Sequence, residues 1–291
     1  METIPALFNI SLTVFIVATM LTAGFGTTVA QLRGVLSNVW LVGTVLFIGF
    51  VIRPLIGFGA AELFQLSVAG FVATALLWSC PGAPIGVKLA MTAEADVNSA
   101  AVLQVLLASI GSITFAPTAN AVISAGNLDT DISIPVGDLI KTIVVLQLVP
   151  FGIGMVTRHW SAARATEWRD SSSRIAGNLF WVVLALSILG SWETIIDLIG
   201  QRVLLASIAV TILMILIGRF TARGDEETKD SAGIVQGCTN SGPAFAAVAI
   251  AFDGDPEILG IMTALLLVQI CVTLLLASYF ARDRVTAEAA A

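Results

Sequence analysis

Charge is scarce in this sequence. Asp, Glu, Lys and Arg make up 12% of its 291 residues, where a soluble domain carries about a quarter, so an ordinary soluble fold is excluded. Histidine occurs once, as His159 in a basic polar stretch, and cysteine three times, as Cys80, Cys238 and Cys271, all inside apolar segments. An odd set of buried thiols builds no disulfide framework and no spaced metal site. Neither H-E-x-x-H nor G-x-S-x-G is present, which removes the commonest metalloprotease and serine-hydrolase patterns. Asp253 and Asp255 belong to a polar turn rather than to facing helices. The chain therefore does not read as an enzyme, and neither a cofactor, a metal nor a nucleic-acid partner is expected.

Apolar sequence is what the chain has in plenty, with 57% hydrophobic residues and a mean hydropathy of +0.96. Apolar stretches of about 20 residues recur along its length, the spacing a bilayer demands. Spans are expected near 6–27, 37–60, 66–94, 97–124, 134–158, 174–197, 201–220, 231–252 and 257–281. The fold class is thus an all-α polytopic membrane protein, a single domain over 1–291 with about nine transmembrane helices. The first stretch lacks a basic segment and a small-residue cleavage site before it, and is expected to be the first span. Alternation of the loops gathers Arg33, Arg158, Arg164, Arg169, Arg174, Arg219, Arg223, Lys229, Arg282 and Arg284 on one side. The other side has Arg202 and, near a span end, Lys141, beside the acidic Glu62, Asp129, Asp131, Glu193, Asp197, Asp253, Asp255 and Glu257. The positive-inside rule then puts the N-terminus outside and the C-terminus in the cytoplasm, in a cell (inner) membrane.

Two of the expected spans are interrupted. Within 66–94 the run SCPGAPIGVKLAMT brings Pro81, Gly82, Pro84 and Gly86, and then Lys88, into apolar surroundings. Proline lacks a backbone donor and clashes with the preceding turn, so this pair should end one helix and start another. Within 231–252, Asn240, Ser241, Gly242 and Pro243 combine capping residues with a proline suited to a first helical turn. Paired Gly/Pro breaks in corresponding halves point to a secondary transporter built from inverted repeats. A truncated first repeat over 6–124, a second over 134–281 and a frayed cytoplasmic tail over 282–291 are expected. Irregular backbone at membrane depth survives only where protein buries it or water lines it. The new half-helices would aim N–H groups and positive dipole ends at the midplane, an anion-attracting arrangement.

These residues carry a resemblance. Ser79-Cys80-Pro81-Gly82, the link Ala93-Glu94-Ala95-Asp96-Val97 and Gly237-Cys238-Thr239-Asn240-Ser241-Gly242 together resemble the bile acid:sodium symporter family over about residues 6–281. The resemblance implies a core domain with two discontinuous, crossing helices packed against a smaller panel domain. It implies substrates that are small organic anions, such as bile acids and small carboxylates, usually driven by sodium, and it places Asn240 at the substrate site. It also implies sodium-ligand positions, which fall here on Gly86, Val87, Ala100 and Gln104, and on Val235, Thr239 and Gly49. Sodium is a hard cation, and most of these residues lack side-chain oxygen. The positions therefore argue against sodium coupling.

Lys88 follows Pro84 by about one helical turn, and an ionisable residue inside a span is a functional hypothesis by default. Its ammonium could stand in for the missing sodium and attract a substrate carboxylate. Desolvation and the helix dipole would favour the neutral amine, so it could also exchange a proton in each cycle. Snorkelling to the interface, or pairing with Asp96, is the plain alternative. Gln104, Gln236 and Thr239 could bond substrate or simply join helices, and Cys238 lies among them. Arg53 is expected to snorkel or pack. The leading expectation is a secondary transporter of a small organic anion working by alternating access, proton-coupled or facilitative. A metalloid oxyanion exporter using the Cys80 thiol, and a receptor derived from a transporter scaffold, are the alternatives.

Overall fold

The computed structural model describes residues 3–127, 136–190 and 192–290, and every element among them is helical. α1 (Thr3–Gly26) is followed by the short α2 (Val29–Ser37). α3 (Val39–Phe47), a π-helical turn (Ile48–Ile52) and α4 (Arg53–Leu63) make the second rod. α5 (Val68–Trp78) and α6 (Ile85–Thr92) are halves of a broken crossing, and α7 (Val97–Ala125) returns beside them. α8 (Val136–Ile143), a second π-helical turn (Val144–Leu148) and α9 (Val149–Trp160) form the next rod, followed by α10 (Ala162–Gly190) and the short α11 (Trp192–Asp197). α12 (Arg202–Thr221), the broken pair α13 (Glu226–Gln236) and α14 (Ser241–Ala251), and α15 (Pro256–Ala290) complete the chain. By length and composition, seven of these rods are long and apolar enough to cross a membrane. The two broken pairs fall in the two remaining expected spans.

The helices pack in two groups. α1, α9 and α10 lie against one another, while α4, α5, α7, α12, α13 and α15 form the other assembly. Small residues let backbones approach closely where lipid offers no hydrophobic drive. A carbon added to Gly154 on α9 would lie 2.8 Å from the Gly24 Cα on α1, and one added to Gly218 on α12 would lie 2.8 Å from the Ala232 carbonyl on α13. Each π-helical turn is followed two residues later by a proline, Pro54 or Pro150. The missing N–H and the ring clash make it hard to keep the regular hydrogen-bond ladder through these points.

One end of the bundle gathers the links expected to be basic. Gln31 donates to Asn98 at 3.3 Å, Trp40 donates to the Thr221 carbonyl, and the Arg223 guanidinium lies 3.8 Å from the centre of the Trp40 ring. The Asp96 N–H donates to the Glu227 carbonyl, and Arg219 pairs with Glu226 and Asp230. Several expectations need correction. The stretch 158–174 is no loop: α9 runs through His159, Ser161 alone intervenes, and α10 begins at Ala162. Its charges lie on good helix formers, and the helix simply extends past the apolar part of its span. α15 likewise continues through the alanine-rich 285–290 instead of fraying. Cys271 is exposed, unlike the other two cysteines. The acidic Asp129 and Asp131 lie outside the described residues.

Candidate functional site: two helix breaks at the base of a cavity

The two broken crossings meet through their backbones. Pro81 and Thr239 form an isolated antiparallel bridge, and the Asn240 N–H donates to the Cys80 carbonyl at 2.9 Å. The first break bends through Gly82 at φ +90°, and its carbonyl accepts from Gln104 Nε2 on α7 at 3.3 Å. Thr239 is held by Gln269 of α15, whose Oε1 accepts from the Thr239 N–H and whose Nε2 donates to the Thr239 hydroxyl. Asn240 occupies the N-cap of α14, yet its side chain makes no cap bond. Its Nδ2 instead donates to Gln147 Oε1 at 3.3 Å, and Gln147 also accepts from Ser112 at 3.1 Å. Gln236 reaches sideways and donates to the Val45 carbonyl at 2.7 Å.

These breaks form the base of a cavity of about 580 Å³. Its walls include the second half of α1 from Phe15 to Gly26 with the adjoining Thr27, the middle of α10 from Arg169 to Trp181, and parts of α6, α7 and α15. Of the residues singled out from sequence, Pro84, Lys88, Gln104, Cys238, Thr239, Asn240 and Ser241 line it. Pro81, Gly82, Gly86, Gln236, Gly242 and Pro243 do not; they are packed in or beside the breaks. Cys80, the thiol a metalloid would need, is buried and also outside the lining. Toward the basic end Lys88, Arg169 and Asp170 are exposed in the wall. Among the described residues no side chain or carbonyl partners the Lys88 ammonium, so the alternative pairing with Asp96 is not made, while its exposure agrees with a reach toward the interface. Asp96 instead caps α7 and accepts from Ser99. Toward the opposite end the space is filled by an apolar cluster that includes Phe8, Leu12 and Ile16 of α1 with Phe245 and Val248 of α14. The Phe8 and Phe245 rings meet edge to face at 5.8 Å.

Arg53 does not snorkel. It is fully buried, 4.9 Å from the centre of the Trp78 ring. Its Nη1 donates to the carbonyls of Gln236 at 3.1 Å and Cys238 at 2.9 Å, and its Nη2 donates to the Thr239 hydroxyl. Span position alone could not have found these partners, which lie more than 180 residues away in sequence. Arg169, Gln147 and Gln269 were also passed over. A polar residue in an apolar span was the only signal for the two glutamines. The sodium positions implied by the resemblance do not fit a hard cation. Gly49, Gly86, Val87, Ala100 and Val235 have no side-chain oxygen, Gln104 offers a single amide oxygen beside its Nε2 bond to the Gly82 carbonyl, and the Thr239 hydroxyl already accepts from Arg53 and Gln269.

Seven rods and two broken crossings around a cavity define a polytopic membrane transporter. Residues 13–221 match the sodium bile acid symporter family, a family of transport proteins rather than enzymes, and the chain belongs to it. The chain is also 24% identical over 186 residues to the probable chloroplastic sodium/metabolite cotransporter BASS2 of Oryza sativa subsp. japonica. That match covers 64% of this chain and 43% of the relative, so the chain spans less than half the length of the protein it matches.

Proposed function

We propose that this protein carries a small organic anion across a cell membrane by alternating access, with the two helix breaks as the fixed site. The observation that carries the reading is a one-sided cavity: polar breaks at its base, cations on its wall, and an apolar plug beyond. Among the described residues that line it, Lys88 and Arg169 stand against one acid, Asp170, which favours an anion. A substrate carboxylate at the base would meet Asn240 and Ser241, with the Lys88 ammonium farther along the wall, all suited to negative charge. With the basic links in the cytoplasm, the cavity faces inward, the N-terminus lies outside and the C-terminus inside. In this reading the segments 6–124 and 134–281 are inverted repeats, and α1, α8–α9 and α10 form the wall that moves. The unfavourable sodium positions favour transport without sodium held at these residues, and Lys88, exposed in the cavity wall, acts as a fixed positive charge toward the substrate.

The test is flux in liposomes. Purified protein would be offered labelled carboxylates and sulfonates under a sodium gradient, a proton gradient or neither. At least one anion should be taken up without sodium, and Lys88→Ala should lower that uptake about tenfold or more, since a charge-assisted bond contributes roughly 1.5–3 kcal/mol. Uptake that requires sodium and ignores Lys88 overturns both the sodium-free transport and the role of Lys88. Saturable anion binding without flux under any gradient overturns the carrier reading in favour of a receptor on the same scaffold.

A further inference from the structure

The end of α13 is a place built for a cation. The Gly237 and Cys238 N–H groups satisfy the Gly233, Ile234 and Val235 carbonyls, which leaves the Gln236 carbonyl as the one without a helical donor among the described residues, and the helix dipole puts negative potential there. Unwound carbonyls at half-helix ends are where transporters hold their coupling cations. In this protein a side chain already stands there. The Arg53 guanidinium satisfies the Gln236 and Cys238 carbonyls and the Thr239 hydroxyl together. Among the described residues no carboxylate pairs with Arg53, and neither break, 79–84 or 237–240, contains an acid. The charge is therefore held by carbonyls, a hydroxyl and the face of Trp78, with carbonyl oxygen as the main ligand. Guanidinium suits such a place because it is weakly hydrated, always charged and presents its donors as a rigid fork.

Two features keep it there. Arg53 begins α4 directly after the π-helical turn and immediately before Pro54, so the local backbone is reshaped where the side chain leaves it. Gly49, one turn earlier, would carry an added carbon within 2.7 Å of Leu107 and 3.7 Å of Gln236 Oε1. The absence of a side chain at Gly49 thus allows the rod to approach the break.

We infer that Arg53 is a resident cation: its guanidinium permanently fills the cation place of the second helix break, which therefore takes up and releases no mobile ion during transport. The carbonyl cluster stays neutralised in every state of the cycle, and any ion coupling must arise elsewhere. This inference rests on the carrier reading for its meaning in a cycle, but its test reads cation binding without flux.

The experiment compares melting of the purified full-length protein in sodium, choline and low guanidinium chloride at equal ionic strength. Wild type should melt at the same temperature in all three. Arg53→Ala should melt lower and recover about 2–4 °C in a saturable way with sodium or guanidinium, as a cation re-enters the vacated carbonyls. Arg53→Lys, which keeps a charge but loses the fork, should fall between them and respond weakly. If Arg53→Ala cannot be purified, the wild-type measurement still decides. A saturable sodium stabilisation of wild type that Thr239→Val removes overturns the inference. So does an Arg53→Ala protein that melts like wild type and ignores every cation.

Discussion

Replacing Gly82 by valine is expected to prevent the protein from reaching its folded state. Gly82 holds φ +90°, a region that a β-branched residue hardly visits. A carbon added there would lie 2.5 Å from the Ala108 backbone nitrogen, 2.8 Å from Leu107 Cβ and 2.9 Å from the Gln104 carbonyl. Two of these three atoms are backbone of α7, so no rotamer change relieves the clash. α7 would have to move away from the break, and the bond from Gln104 to the Gly82 carbonyl would go with it. Backbone strain of about 1–3 kcal/mol and steric overlap of similar size together approach the whole stability of many domains. Gly82→Val should give little monodisperse protein, and Gly82→Ala should melt at least about 6 °C below wild type. Gly43→Ala is the control, because nothing lies within 4 Å of an added carbon there; it should be neutral or slightly stabilising. A Gly82→Val protein that melts like wild type would mean that the first break follows a different path.

The two breaks were legible in sequence because proline and glycine are the strongest punctuation an apolar run can carry, and the seven uninterrupted rods because the bilayer sets their length. Partners were another matter. Arg53 was judged by its distance from the membrane surface along its own helix, a one-dimensional argument that could not see a carbonyl cluster on α13. Neither π-helical turn has a sequence signature beyond the proline that follows it. Yet the first delivers Arg53 and the second contains Gln147, so both direct polar atoms at the same break. In 158–174, charge was read as loop when the residue types were those of a protruding helix. Lys88 was placed correctly on the second half-helix, but its exposed position in the cavity wall depended on where α1 and α10 stand.

The contact between Asn240 and Gln147 should govern the working cycle, and its loss should be the most damaging change that leaves the fold intact. Asn240 belongs to the break, while Gln147 belongs to the α8–α9 rod, which contacts α1 as well as α7. Their bond lies beside the apolar plug that closes one end of the cavity. If α1, α8–α9 and α10 move as a wall, this bond must be made in one state and broken in the other. Asn240→Leu removes the tie and a polar group from the cavity floor, and should lower flux on the order of 100-fold, two steps of about 1.4 kcal/mol. Gln147→Leu removes the tie and the acceptor of the Ser112 hydroxyl but leaves the Asn240 amide on the cavity floor, and should lower flux about tenfold. Gln147→Glu keeps an acceptor oxygen and should retain more flux than Gln147→Leu. The double leucine variant decides the matter. Residues acting through one shared bond are not additive, so the pair should be no worse than Asn240→Leu alone. A loss on the order of 1000-fold in the double variant, the product of the two single effects, would mean that Asn240 and Gln147 act separately and that their bond is not the latch.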